Sequence, residues 1–76
     1  MGRIGTFLKI DKFTGQKSIE TGDVIGPMDG PMYVIKCHVD KRKVIIPKYY
    51  YCSGTGRSEE EYFKIFDKQK EEYDRL

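Results

Sequence analysis

Hydrophobic and polar residues alternate in short stretches over the first two thirds of the chain. In the last third they recur every three to four positions. The first pattern predicts strands and the second a helix. Residues 3–13 read as a first strand, with Ile4, Leu8 and Ile10 on one face and Thr14-Gly15 as the turn that follows. Residues 16–20 return as a weaker strand around Ile19, and Thr21-Gly22-Asp23 reads as a second turn before Val24 and Ile25. The run from Gly26 to Pro31 holds two Gly and two Pro in six residues and predicts a loop.

Residues 32–39 alternate most cleanly. Tyr33, Ile35, Cys37 and Val39 face one way; Val34, Lys36 and His38 face the other. Residues 40–43 (Asp-Lys-Arg-Lys) then connect a hairpin. With Lys41-Arg42 as the tip, Val39 opposes Val44, Cys37 opposes Ile46 and Ile35 opposes Lys48, which gathers the apolar side chains on one face. A two-residue tip wants positive φ, and Lys-Arg supplies neither Gly nor Asn, so a four-residue loop is the alternative. Pro47 lacks an N–H and belongs at an edge or a bulge. Residues 49–52 (Tyr-Tyr-Tyr-Cys) read as the last strand and residues 53–57 as a loop.

Residues 58–76 carry the helical period. Ser58 and Glu61 form a capping box, and Glu59, Glu60 and Glu61 complement the positive end of the helix. Tyr62, Ile65, Phe66, Gln69, Tyr73 and Leu76 share one stripe, while Glu60→Lys64 and Glu71→Arg75 are favourable pairs elsewhere on the surface.

Composition agrees with a strand-rich body. Ile, Val, Tyr, Phe and Thr supply 26 of the 76 residues; Leu occurs twice and Ala not at all. A chain of this length makes a thin core with little room for a deep substrate cavity. Charge is divided. Residues 1–57 carry ten Lys/Arg against five Asp/Glu, and residues 58–76 carry four against seven. A basic body suggests an anionic partner, although a modest excess also serves plain solubility. Val44-Ile45-Ile46 is the longest run of Ile, Leu and Val, too short for a membrane span or a signal-peptide core, so a cytoplasmic location is expected.

Candidate chemistry narrows in the same way. Cys37, His38 and Cys52 invite a metal, but there is no CxxC, only one His, and neighbours on a strand point to opposite faces. Reduced thiols are expected in place of a Cys37–Cys52 disulfide. Nothing orients His38 as a catalytic base, and no nucleophile elbow or paired carboxylates are recognisable; we expect no enzyme, metal or cofactor. The Gly-rich run before the helix resembles an anion-binding loop, but three Glu already occupy that positive end.

The basic hairpin is the strongest functional signal. Lys36, Lys41, Arg42, Lys43 and Lys48 lie close in sequence to Tyr49, Tyr50 and Tyr51. Such cations neutralise phosphates, and exposed aromatics stack on bases. Nucleic acid, DNA or RNA, is therefore the first expected partner. The alternative is a small inhibitor or adaptor that binds a protein through the helix or the loop holding Met28 and Met32, with a homodimer as one form.

The order of elements resembles small SH3-like barrels, including chromo-type DNA-binding proteins that end in a helix. Gly54-Thr55-Gly56-Arg57, followed by Ser58-Glu59 and the amphipathic helix, is similar to such an ending. The resemblance is one of architecture and assigns no DNA-facing residue. A second similarity, in size, is to small proteins of phages and mobile elements that bind and block a host protein or sequester a nucleotide signal. The expected fold is mainly β: an antiparallel SH3-like, partly open barrel of about five strands with one C-terminal amphipathic helix. Residues 1–76 would form one domain, with a β body to residue 52.

Overall fold

The computed structural model describes residues 3–27 and 30–75. Five antiparallel strands form one open sheet, followed by a helix: β1 (Arg3–Ile10), β2 (Lys17–Pro27), β3 (Met32–Cys37), β4 (Lys43–Pro47), β5 (Tyr51–Ser53) and α1 (Glu59–Asp74). The strand order is β4-β3-β2-β1-β5, a four-strand meander to which β5 adds at β1. A single 3₁₀ turn, Lys48–Tyr50, joins β4 to β5.

That short link dictates the shape. In a flat sheet, β4 and β5 would lie about 19 Å apart, four spacings of about 4.8 Å. The four residue steps from Pro47 to Tyr51 reach at most about 14 Å when fully extended. The sheet must therefore curl. Its inner face collects Phe7, Val24, Ile35, Cys37, Ile46 and Tyr51, at least one from every strand, into one buried cluster. The sheet is nevertheless open, because β4 and β5 remain its unpaired ends.

Two glycines allow the curl. Gly5 and Gly22 face each other across β1 and β2. A Cβ on Gly5 would land in the Tyr51 ring, and one on Gly22 would come within 2.6 Å of the Lys36 carbonyl oxygen. Gly22 is thus a close-approach residue inside a continuous β2, not the turn expected at residues 21–23. β2 also continues through Pro27, where a loop was expected from Gly26; residues 28 and 29 lie outside the described residues.

On β1 the inner residue is Phe7; Leu8 faces the other way, under the helix, with Tyr62 and Phe66. Ile4 and Ile10, expected on the same face as Leu8, are exposed. The strand also ends earlier than expected, at Ile10, and Phe13 lies on the turn beyond it.

The hairpin between β3 and β4 pairs Ile35 with Val44 and Tyr33 with Ile46. This register differs from the expected one by four residues. Because four is even, Ile35, Cys37, Val44 and Ile46 still share the core side, whereas Val39 moves into the loop and is 77% exposed. The connection has four residues, as in the alternative, but they are residues 38–41 and not 40–43, since Lys43 already belongs to β4. Cys37 N–H donates to the Arg42 carbonyl (2.9 Å) and Lys41 N–H to the Cys37 carbonyl (3.0 Å), with Lys41 at φ 61°.

The helix forms as its sequence predicts. The Ser58 hydroxyl accepts from Glu61 N–H (3.2 Å), and Glu60–Lys64 and Glu71–Arg75 pair along the surface. Tyr62 and Phe66 are buried, and the Gln69 amide donates to the Tyr51 carbonyl (3.2 Å). No described helix is long and apolar enough to cross a membrane.

Candidate functional site

Two hairpin loops of the same build lie near a cleft, which is lined by residues of the first loop and by the start of β4 after the second. The first spans residues 12–15. Asp11 N–H donates to the Gln16 carbonyl and Gly15 N–H to the Asp11 carbonyl, both at 2.9 Å. One Asp11 carboxylate oxygen accepts from the N–H groups of Phe13 (2.7 Å) and Thr14 (3.0 Å). These two bonds hold the Asp11 carboxyl below the usual aspartate range, with Thr14 the larger cause. In the second loop, residues 38–41, the Asp40 carboxylate accepts from Arg42 N–H (3.0 Å), which lowers its pKa in the same way.

The cleft between the loops and strands has a volume of about 660 Å³. Leu8, Ile10 and Phe13 line one side, Val44 and Ile46 the other, with Tyr50 of the 3₁₀ turn between them. It marks where the sheet fails to close: β5 pairs with β1 only from Gly5 to Phe7, leaving Leu8–Ile10 without a strand on that side. Lys12 stands at one lip, and Arg42 and Lys43 at the other. Among the described residues, none of these three meets a carboxylate at ion-pair distance. Lys9 does, bridging Glu20 (3.7 Å) and Asp40 (3.6 Å).

The structure brings together part of the expected site. Lys41, Arg42 and Lys43 are exposed and adjacent, and Lys36 is exposed opposite Lys43 on β3. Lys48 does not join them. At about 3.3 Å per strand residue it lies roughly 20 Å from Arg42, and its ammonium sits 5.1 Å from the Tyr33 ring centre.

The three tyrosines are not a row on a strand. Tyr49 and Tyr50 belong to the 3₁₀ turn, because Pro47 ends β4 and only Tyr51 re-enters the sheet. Tyr51 is 7% exposed, packed edge-on to Tyr33, so its ring is in the core and not in position to stack on a base. Tyr50 is half-buried against Phe66, and burial pushes its hydroxyl pKa up. Tyr49 packs on Tyr50 and Tyr73, holding the end of the helix. The exposed aromatic beside the cations is Phe13, 97% exposed, which sequence reasoning placed at the end of a strand. The Thr14-Gly15 turn signal just after it was the available clue.

The remaining candidates are dispersed. His38 uses both ring nitrogens, on Asp23 (3.1 Å) and Thr21 (3.2 Å). Cys37 is in the inner cluster and Cys52 beside the outer one; both are free. Among the described residues no group of His, Cys, Asp and Glu side chains is placed to hold a metal ion. The helix spends Tyr62 and Phe66 on the body, which removes them from the surface expected for a partner. Of the two methionines expected in a binding loop, Met28 lies outside the described residues and Met32 is half-buried on β3. Comparison with known protein families, curated proteins and solved structures finds no match to this chain.

Proposed function

We propose that this protein is a non-catalytic module that binds nucleic acid at the basic hairpin and the cleft beside it. The observation that carries the reading is the set of adjacent, exposed cations Lys41, Arg42 and Lys43, of which Arg42 and Lys43 line the cleft together with Lys12. Uncompensated cations on two lips of one groove suit a phosphate chain running along it. The curl of the sheet, which gathers side chains from all five strands into one cluster, supports reading the architecture as an SH3-like, partly open barrel.

Salt is the sharpest test. Three phosphate contacts on a single strand give a slope of about −2 in log K against log salt, hence roughly a 20-fold loss between about 50 and 200 mM. Fluorescence anisotropy with labelled single- and double-stranded DNA and RNA measures this directly. Binding that falls in this way, and disappears in the Lys41→Glu/Lys43→Glu variant, supports the reading. No binding at the lower salt sinks it.

A second reading rests on the open edge of β4. The Cys37–Arg42 bond fixes the alternation, so the backbone groups of Lys43 and Ile45 point away from β3, and the Ile45 side chain is 56% exposed. An added strand from a protein partner or a second copy would use that edge, although Lys43 and Pro47 flank it as edge-blunting residues do. Binding of this kind would survive the double charge reversal.

A further inference from the structure

We infer that the cleft reads unpaired nucleic-acid strands, with Phe13 as the platform on which a base stacks. The inference rests on the nucleic-acid reading above and adds the strand state and the contact residue.

The first ground is the presentation of Phe13. A large apolar side chain 97% exposed to water is common enough singly. Here, however, its backbone is fixed. Asp11 and Gln16 close the loop, Gly15 takes the left-handed conformation at φ 73°, and the Asp11 carboxylate holds Phe13 N–H at 2.7 Å. The ring is carried on a pinned turn at the mouth of an apolar cleft, with its faces uncovered. Such a ring binds at low ordering cost.

The second ground is charge. Lys12 is its neighbour in sequence, and Arg42 and Lys43 stand across the cleft. The one carboxylate on the lining, Asp11, is turned inward onto two backbone donors. An occupant with an apolar flat part and a flanking anionic chain matches both features, and a single-stranded nucleic acid has both. A base in a duplex does not offer a free face, because its stacked neighbours cover it. A single strand offers a face for each base.

The test is anisotropy at about 50 mM salt with a labelled oligo(dT), an oligo(rU) and a hairpin duplex, using the wild type, Phe13→Ala, Phe13→Trp and Arg42→Glu/Lys43→Glu. Single strands should bind more tightly than the duplex. Phe13→Ala should weaken them about 5- to 150-fold, the range for loss of one base–aromatic stack, and Phe13→Trp should restore binding. The charge reversal should weaken all three probes. Thermal melts identical to wild type would establish that the Phe13 variants are folded. If Phe13→Ala changes single-strand affinity less than twofold while the charge reversal abolishes it, the stacking inference is overturned and the phosphate reading stands. Duplex bound as tightly as single strand also overturns it. No binding by the wild type to any probe overturns both.

Discussion

Gly15 and Lys41 hold the same position in two loops of the same construction. Each is the fourth residue of a four-residue connection, and each has positive φ, 73° and 61°. Glycine adopts that conformation freely, whereas a lysine does so against a steric cost of roughly 1 kcal/mol. Lys41→Gly should therefore stabilise the fold by about 1 kcal/mol, and Gly15→Ala should destabilise it by about as much. Urea titrations check both. If the cation at position 41 contacts phosphate, Lys41→Gly should also weaken nucleic-acid binding, raising stability while lowering affinity.

Gly5 and Tyr51 supply the second prediction. Gly5→Ala drives a methyl group into the Tyr51 ring, and forced overpacking of this kind costs about 1–3 kcal/mol. The Tyr51 hydroxyl is buried with no hydrogen-bond partner among the described residues. Tyr51→Phe removes an unsatisfied polar group and should be neutral or stabilising, unlike most core changes. An unfolding free energy of Tyr51→Phe lower than wild type by about 1 kcal/mol or more would show that the hydroxyl has a partner after all.

Acid should act on the two loops together. The carboxyl groups of Asp11 and Asp40 are lowered beneath the ordinary value of 3.8 by the backbone N–H groups of Thr14 and Phe13, and of Arg42, respectively. A carboxyl group depressed on folding contributes stability that is fully present above its unfolded value and lost as pH falls through its folded value. Stability should therefore decline below about pH 4. In Asp11→Ala and Asp40→Ala the decline should be shallower. Denaturation midpoints from pH 6 to pH 2 compare the three; parallel curves would argue against this role for the carboxylates.

Helix docking depends on Phe66 far more than on Tyr73. Phe66 is wholly buried against Leu8 and Tyr62, whereas Tyr73 is 42% exposed and packs at a tilt on Tyr49. Phe66→Ala should cost about 3–5 kcal/mol, enough to unfold a small domain. Tyr73→Ala should cost about 1 kcal/mol or less. Circular dichroism melts distinguish the two.

Legibility in the sequence followed the locality of each signal. The helix depends on its own stripe and cap, and Ser58, Tyr62 and Phe66 serve as their spacing predicts. The core side of β3 and β4 was readable because alternation survives an even register shift; the register itself was not, since it turns on Lys41 accepting a conformation that lysine seldom adopts. Gly22 looked like a turn because a glycine needed for close approach and one needed for a bend are the same residue in sequence. Tyr51 and Phe13 exchanged roles for a longer-range reason. Whether an aromatic is covered depends on β5 returning to β1, a pairing between residues more than forty positions apart. The cations at residues 41–43 were legible, and the cleft that Arg42 and Lys43 border was not.

Phe7 and Leu8 are consecutive on β1, yet each is rooted in a different buried cluster. The curled face and the helix-covered face therefore share one strand, two residues back to back. Loss of β1 would take a buried residue from both clusters at once. Unfolding should then be a single event, with helix and sheet melting at one midpoint and the amides of β1 exchanging only when the whole molecule opens.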